Sequence, residues 1–198
     1  MSFELITGLG NPGKQYDDTR HNIGFEILDA YAARFRAEWS ESRKFEALTC
    51  QINHPTKGKL LLAKPITYMN ESGRSLSAIA RYFQINVEKI VVIHDDLNID
   101  FGRVKISGSG SAGGHNGLSS ILSHMDSVFT RFRVGIGPKI PSEMMLTDFV
   151  LGKFTPEERT FLEKQILAYA NWLNLLVDRG AEVAMNYINR KKNTNESS

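Results

Sequence analysis

The hydrophobic positions of the chain form two recurring patterns, short apolar runs and longer stretches with helical spacing. Apolar or alternating runs of four to eight residues, bounded by turn residues, are typical of β-strands. After Lys89, the run Ile90–Ile93 is apolar throughout and leads into His94-Asp95-Asp96, which indicates a buried central strand. Strands are predicted over residues 3–9, 45–53, 59–64, 89–93, 103–107 and 131–137.

Apolar residues spaced three and four apart predict five helices between and after these strands. The best-marked helix begins at Thr155, where a capping residue is followed by Pro156 and by Glu158 at the third helical position. Gly180 is predicted to end that helix. The other helices are predicted from the spacing of Ile23, Ile27, Leu28, Tyr31 and Phe35, from near Asn70 to Ser72 through Phe83, from Leu118 through Met125, and over residues 181–190.

The alternation of strands and helices predicts a single-domain, three-layer α/β sandwich, with a twisted mixed β-sheet and helices on both faces. Residues 1–190 are predicted to form this catalytic domain, and the polar residues 191–198 a flexible C-terminal tail. In such sheets, ligands bind beyond the carboxyl ends of the strands. Asn11, Tyr68–Asn70 and Asp95 each follow a predicted strand, so one site built from distant segments is expected.

Composition narrows the class without identifying a function. The chain has 198 residues, is 41% hydrophobic and has a formal net charge of +2. Its one cysteine, Cys50, has no partner for an internal disulfide, which fits a reducing compartment. No apolar run approaches the ~20 residues of a membrane span. We therefore expect a soluble, cytoplasmic protein that does not contact membranes, and its sequence pI of about 8.6 permits a nucleic-acid partner.

A histidine and an aspartate are the best candidates for acid–base chemistry. His21 immediately precedes a predicted helix, and histidine exchanges protons near neutral pH. Asp95 leaves the predicted central strand and is expected to accept a hydrogen bond from one ring nitrogen of His21, which would fix the tautomer. No serine lies in a Gly-x-Ser-x-Gly elbow and Cys50 is mid-strand, so water is the expected nucleophile, activated by His21.

Three asparagines follow predicted strands or the glycine-rich run: Asn11, Asn70 and Asn116. Each brings one acceptor and two donors without a charge, so these side chains are suited to hold a peptide backbone or an ester carbonyl. Asparagine is also a common cap, and Asn70 and Asn116 are expected to cap the helices that follow them as well. Lys105 and Arg133 lie on predicted strands beside the glycine-rich loop, where they are suited to hold a phosphate or to form a solvated strand face.

Three other functions remain open on the residues alone. The first is a nicotinamide oxidoreductase, because Gly8-Leu-Gly-Asn-Pro-Gly13 matches the dinucleotide-binding fingerprint. The polar segment 14–20 argues against it, since that motif needs a helix at this point. A metallohydrolase would draw its ligands from His21, His94, Asp95, Asp96 and His115, although their spacing matches no recognised zinc motif. An RNA-binding module without catalysis is the third alternative, and loss of hydrolysis on changing His21 would exclude it.

With these residues identified, the chain resembles the bacterial peptidyl-tRNA hydrolases. The matching segments occur in family order from residue 4 to about 152 and are specific when taken together. They are Gly8–Gly13, Tyr16, Thr19–Asn22, Pro65–Gly73, His94–Leu97, Gly113–Gly117, Arg131–Gly137 and Asp148–Gly152. The resemblance implies a monomeric α/β enzyme of phosphorylase/hydrolase-like fold that cleaves the ester between peptide and tRNA. It implies that the enzyme uses no metal and no cofactor. It also implies that the partner is peptidyl-tRNA, which is held mainly at its acceptor end.

The resemblance also implies a role for particular residues. His21 corresponds to the catalytic base and Asp95 to the residue that stabilises its active form. Asn11 corresponds to the position that distinguishes a blocked α-amino group from a free one. Lys105 and Arg133 match a basic pair that grips the 5′-phosphate of the tRNA, and the loop 138–150 matches a mobile gate. The remaining substrate-binding positions are Tyr16, Tyr68, Met69, Asn70, His115 and Asn116, with Met69 lining the peptide channel.

Overall fold

The computed structural model describes residues 2–108, 110–126 and 128–190, so the predicted tail 191–198 lies outside the described residues. Seven strands and six α-helices occur in this part of the chain. The strands are β1 Leu5–Gly8, β2 Ser40–Ser42, β3 Ala47–His54, β4 Gly58–Pro65, β5 Ile90–Asp100, β6 Val104–Ser107 and β7 Thr130–Gly137. The helices are α1 Ile23–Ala33, α2 Ser72–Phe83, α3 Asn116–His124, α4 Leu146–Leu151, α5 Pro156–Arg179 and α6 Ala181–Ile188.

The strands form one mixed sheet in the order β2-β3-β4-β1-β5-β7-β6. The four central strands, β4, β1, β5 and β7, are parallel to one another, whereas β2 and β3 on one side and β6 on the other pair antiparallel with their neighbours. The carboxyl ends of the four parallel strands therefore lie at the same edge of the sheet. This edge is where an open α/β sheet binds its ligands.

Helices cover both faces of the sheet. On one face, α1, α5 and α6 contribute the apolar residues of the larger core cluster, among them Ile27, Leu173 and Ala184. On the other face, α2 and α3 bury Leu76, Ile79 and other residues against the apolar side chains of β1 and β5. The predicted three-layer α/β sandwich with a mixed sheet is confirmed.

Close packing of α1 against β1 fixes the position of the turn that carries His21. A Cβ atom on Gly8 would lie 2.3 Å from the carbonyl oxygen of Gly24, so only glycine permits this approach. The short 3₁₀ turn Arg20–Asn22 leads directly into α1 and is held from its other side by Arg20. That buried guanidinium donates to the carbonyl oxygen of Lys153 and to a carboxylate oxygen of Glu158, both at 2.6 Å.

The structure confirms most predicted elements and corrects several boundaries. The central strand β5 continues past His94 to Asp100, because β7 pairs with its backbone through Asp96 and again at Asp100 after an irregularity. The segment 138–150 is not all loop, since α4 begins at Leu146. The first helix ends at Ala33, before Phe35. Strand β2 has no apolar pattern and was not predicted.

The helix ends follow the predictions only in part. Thr155 caps α5 in a capping box with Glu158, and α5 ends before Gly180, as predicted. The expected asparagine caps are wrong, because the cap residues are Glu71 for α2 and His115 for α3. None of the helices in the described part of the chain combines the length and the apolar character that a membrane span requires.

Candidate active site

A cavity of about 930 Å³ lies at the carboxyl-end edge of the parallel strands. That volume is within the range of small-molecule and cofactor sites. Of the residues predicted for the site, all but Lys105 line this cavity. They are Asn11, Tyr16, His21, Tyr68, Met69, Asn70, Asp95, His115, Asn116 and Arg133.

The predicted hydrogen bond between His21 and Asp95 is present. The two side chains are 6% and 3% exposed, and His21 Nδ1 lies 2.8 Å from Asp95 Oδ1. A carboxylate only accepts, so Nδ1 carries the proton and Nε2 holds a lone pair. No described residue hydrogen-bonds to His21 Nε2, and the ring lines the cavity. This is the geometry of a general base whose free nitrogen can reach a water molecule.

A second histidine donates to the same carboxylate oxygen. His115 Nε2 lies 3.0 Å from Asp95 Oδ1, and the His115 ring is 4.8 Å from the His21 ring, centroid to centroid. On its other side, His115 Nδ1 accepts the backbone N–H groups of Gly117 and Leu118, at 3.1 and 3.3 Å. His115 therefore caps α3 with one nitrogen and contacts Asp95 with the other.

The two histidines keep Asp95 ionised. Burial alone would raise the pKa of the Asp95 carboxyl, but the electrostatic interactions and hydrogen bonds with the His21 and His115 rings outweigh it, so that pKa lies well below its usual range. A carboxylate that stays charged in a buried site stabilises positive charge on a neighbouring ring. His21 therefore faces a permanent anion through Nδ1 while its Nε2 is open to the cavity.

A third histidine, His94, lies beside this network and remains neutral. It is 2% exposed, and its Nδ1 donates to the backbone oxygen of Asp95 at 2.7 Å. Its Nε2 is buried without a hydrogen-bond partner among the described residues. Burial, followed by the electrostatic interaction with His115, lowers the pKa of His94 to about 3. His94 lines the cavity, but it is not suited to exchange protons near neutral pH.

The buried His94 should make the fold sensitive to acid. Below pH 6.5 the unfolded chain protonates this imidazole, whereas the folded chain does not until about pH 3. Stability is thus lost as pH falls through this window, by up to about 1.4 kcal/mol per pH unit. In His94→Asn the amide keeps the donor to Asp95 and removes the titration. Urea unfolding at pH 7, 6 and 5 should show a shallower pH dependence in this variant than in wild type or in His124→Asn, a change at an exposed histidine. Equal slopes would contradict the assignment.

Asn11 is held so that it presents a donor to the cavity. Two hydrogen bonds from the Asn22 side chain fix the backbone of Asn11: Nδ2 donates to Asn11 O at 3.0 Å, and Oδ1 accepts from Asn11 N at 2.8 Å. The side-chain oxygen of Asn11 accepts the backbone N–H of Met69 at 2.8 Å. Its Nδ2 has no hydrogen-bond partner among the described residues, so Asn11 can offer an N–H to a ligand carbonyl.

The other predicted asparagines are more open. Asn70 and Asn116 are exposed, line the cavity and make no side-chain hydrogen bond within the described residues. Tyr68 is also exposed. Met69, which lies between Tyr68 and Asn70 in the sequence, is buried and packs close to Gly117. The segments after β4 and before α3 therefore present free amides to the cavity next to the buried apolar side chain of Met69.

A pair of basic residues extends from the cavity along the outer strands. Lys105 on β6 and Arg133 on β7 are paired across the ladder, so their side chains lie on the same face of the sheet. Arg133 Nε donates to Asp96 Oδ2 at 2.9 Å, and its terminal nitrogens have no partner among the described residues. Lys105 does not line the cavity, but it is the direct cross-strand neighbour of Arg133, which does.

Sequence reasoning missed several residues that shape the site. Arg131 is buried and donates to the backbone oxygens of Gly110 and Ser111, which holds the glycine-rich loop against β7. The sequence places Asn22 only within a family motif, and it predicts a loop where most cavity-lining residues of α4 lie. Arg131 could have been found from its position two residues before Arg133 on β7, whereas no sequence pattern indicates that Asn22 hydrogen-bonds to the backbone of Asn11.

The grouping that best matches the metallohydrolase alternative is His21, Asp95 and His115, whose potential ligand atoms lie within 4.8 Å of one another. Hydrogen-bond roles argue against it. His115 Nδ1 accepts two backbone N–H groups, so its Nε2 is protonated and has no lone pair for a metal. Asp96 is also occupied, by the Arg133 guanidinium and the backbone N–H of Asn98. The arrangement fits a hydrogen-bonded network.

No cysteine competes with water as the nucleophile at this site. Cys50 lies on β3 and does not line the cavity, and burial raises the pKa of its thiol to about 11. An open α/β sheet with a buried histidine–carboxylate pair, free amides and a basic strand face at its ligand edge is typical of an α/β enzyme.

Comparisons with known proteins agree on a single family. Residues 5–196 match the family model described as Peptidyl-tRNA hydrolase. A peptidyl-tRNA hydrolase of Clostridium botulinum (strain Alaska E43 / Type E3) is 42% identical over 186 residues, which cover 93% of this chain and 95% of that protein. One from Gloeobacter violaceus is 38% identical over 96% of both chains.

A solved structure gives the same result. The crystal structure of peptidyl-tRNA hydrolase from Acinetobacter baumannii matches with a TM-score of 0.89 and 35% identity, covering 96% of both chains. The chain belongs to the peptidyl-tRNA hydrolase family.

Proposed function

We propose that the chain hydrolyses the ester bond between a peptide and tRNA and so releases free tRNA. The observation that carries this proposal is the His21–Asp95 pair, with His21 Nε2 free in a large cavity beside free amide donors. Membership of the family supports the substrate class. The roles given below to individual residues are part of the proposal.

His21 acts on water. Its Nε2 takes a proton from the water molecule as the water oxygen attacks the ester carbonyl carbon, and Asp95 stabilises the imidazolium through Nδ1. The tetrahedral intermediate then expels the ribose oxygen of the tRNA, which takes the proton back from His21. General-base catalysis of this kind contributes typically ~10²–10⁴-fold to the rate. The ester is intrinsically easier to cleave than an amide, so no covalent enzyme intermediate is needed.

Asparagines hold the peptide. Asn11 offers Nδ2 as a donor because Met69 N already occupies its oxygen, so its partner in the substrate is a carbonyl. An N-blocked substrate carries such a carbonyl next to its first nitrogen, whereas a free aminoacyl-tRNA carries an ammonium, itself a donor. Asn70 and Asn116 supply further amide contacts, with the side chains of Tyr16, Tyr68, Met69 and His115 lining the path of the peptide.

The basic face binds the tRNA. Arg133 is 29% exposed at its side chain and is oriented by Asp96 through Nε, which leaves its terminal nitrogens for a phosphate. Lys105 adds a second charge next to it. The segment 138–150, which contains most of α4, acts as the gate. We propose a monomer of one catalytic domain, residues 1–190, that works in the cytoplasm without a metal or cofactor.

Salt should weaken binding through this face. Each lost phosphate contact lowers the slope of log affinity against log salt by about 0.7–0.9. In Lys105→Ala/Arg133→Ala we expect KM to rise by ~10–100-fold at ~0.1 M salt, with a shallower salt dependence and a smaller effect on kcat. The matched control is Lys59→Ala, because Lys59 is exposed and lies near the start of β4, away from the sheet edge that carries the cavity. If KM rose with salt as steeply in the double variant as in wild type, these two residues would be excluded as phosphate ligands.

The function is tested by comparing two substrates. N-acetyl-aminoacyl-tRNA and unblocked aminoacyl-tRNA, made from the same tRNA, are incubated with the wild type in EDTA, and release of the amino acid is followed. Rapid cleavage of the blocked substrate only supports the proposal. Cleavage abolished by EDTA would favour a metal-dependent hydrolase, and tight binding of either RNA without cleavage would favour a binding module.

A further inference from the structure

His115 has a defined protonation pattern that follows from its partners. The backbone N–H groups of Gly117 and Leu118 can only donate, so Nδ1 must accept and carries no proton. A neutral imidazole with an unprotonated Nδ1 bears its proton on Nε2, the nitrogen that faces Asp95. The start of α3 therefore holds His115 as a neutral donor aimed at the carboxylate.

Both nitrogens of His115 are thus used within the protein. Nδ1 caps α3, and Nε2–H donates to Asp95 Oδ1, the same oxygen that accepts from His21 Nδ1. The predicted contact of His115 with the substrate would have to be made by its ring carbons. This leaves a different role for the residue, through Asp95.

We infer that His115 is a positioning residue that holds Asp95 in place and limits how strongly that carboxylate favours the protonated form of His21. The inference deepens the proposed function and rests on it where catalysis is concerned. Two N–H donors share one oxygen, so each draws on the same negative charge. The Nε2–H dipole of His115 also points its positive end toward the oxygen that His21 uses.

The consequence is a base that stays available. If Asp95 accepted a hydrogen bond from His21 alone, the imidazolium form of His21 would be more stable relative to the neutral base. The donor from His115 works against this. It also ties the base to the glycine-rich loop, because the turn with positive φ at Gly113 and Gly114 delivers His115 to its capping position.

The other charged and titratable groups around the cavity leave room for this effect. From β5 come His94, which remains neutral, and Asp96, which is paired with Arg133 of β7. Arg131 of β7 holds the glycine-rich loop. Tyr16 and Tyr68 complete the set of titratable groups that line the cavity in the described part of the chain. Asp95 is therefore the anion that His21 contacts, and His115 is the group that shares it.

Two substitutions separate the two contacts of His115. In His115→Asn, the amide oxygen replaces Nδ1 and can cap α3, but the side chain is too short to reach Asp95. In His115→Gln, the amide nitrogen replaces Nε2 and can donate to Asp95, but the cap is lost. The pair therefore distinguishes loss of the carboxylate contact from loss of the helix cap.

The first measurement is the pH dependence of kcat/KM on N-acetyl-aminoacyl-tRNA. We expect the acid limb of His115→Asn to move to higher pH by about half a unit to one unit, which is the net contribution of one typical hydrogen bond. The acid limb of His115→Gln should stay in place, while its Tm falls by about 2–4 °C. An unmoved limb in His115→Asn, or an equal shift in both variants, would overturn the inference.

A second measurement does not depend on activity. ¹⁵N NMR of the histidine rings in the free protein should show His115 with its proton on Nε2, and a His21 titration midpoint at higher pH in His115→Asn than in wild type. If neither protein cleaved the substrate, the proposed function would fail, yet these spectra would still decide the inference. A proton on Nδ1 of His115, or an unchanged His21 titration, would refute it.

Discussion

Replacing His21 by asparagine is expected to lower kcat on N-acetyl-aminoacyl-tRNA by about 10²–10⁴-fold, the range that general-base catalysis supplies. The amide nitrogen of asparagine takes the place of Nδ1, so the hydrogen bond to Asp95 is kept. What is lost is the lone pair of Nε2, which faces the cavity. KM should change little, because His21 is not proposed to hold the peptide or the tRNA. Single-turnover hydrolysis measures the chemical step directly.

Two controls show whether this loss is specific. Circular dichroism and Tm should match those of wild type, since the turn Arg20–Asn22 is held by Arg20 and by the packing of α1. His124→Asn, a change at an exposed histidine of α3, should hydrolyse the substrate as fast as wild type. Activity retained in His21→Asn within a factor of three would show that His21 is not the base.

The second large effect is expected in Asp95→Asn. The amide oxygen can still accept from His21 and His115, so the geometry is retained, but the negative charge is lost. Without that charge the imidazolium formed in the transition state is less stable, and we expect kcat to fall by about 10²-fold. The acid limb of the pH–rate profile should move to lower pH, since protonation of His21 becomes less favourable. This shift is opposite to that expected for His115→Asn.

The matched control is Asp100→Asn, an exposed carboxylate on the same strand, β5, that pairs with Arg103 three residues later. It should change neither kcat nor the acid limb. Measuring rates from pH 5 to 8 on one substrate preparation gives both readouts. A shift of the Asp95→Asn limb toward higher pH, or none, would show that the carboxylate does not stabilise the protonated ring.

The fold could be predicted from the sequence wherever apolar spacing decides it. The runs that became β1, β3, β4 and β7 and the capping box at Thr155 are local signals, and the structure has them within a few residues. The end of β5 could not be predicted, because most residues from His94 to Asp100 are polar and their strand conformation comes from pairing with β7, a long-range contact. For β2, likewise, the pairing partner and not the composition defines the strand.

The candidate site was predictable to the extent that topology brings strand ends together. Asn11 and Asn70 follow parallel strands and Asp95 lies within β5, beyond its apolar run, so their convergence on one edge follows from the sheet. The roles of single atoms did not follow. Three contacts illustrate this: Asn22 hydrogen-bonds to the backbone of Asn11, His115 and not Asn116 caps α3, and two histidines share one oxygen of Asp95. Each depends on distances of about 3 Å that the spacing of residues along the chain does not define. Spacing carries no information at that scale.

The most direct test of general-base catalysis by His21 is the pH–rate profile of wild type and His21→Asn on N-acetyl-aminoacyl-tRNA, with EDTA present throughout. If His21 is the base, the wild-type rate should rise with pH along a single acid limb to a plateau. The small residual rate of the variant should lack this limb and rise with hydroxide concentration. The same limb and plateau in both proteins would contradict the assignment of His21 as the base.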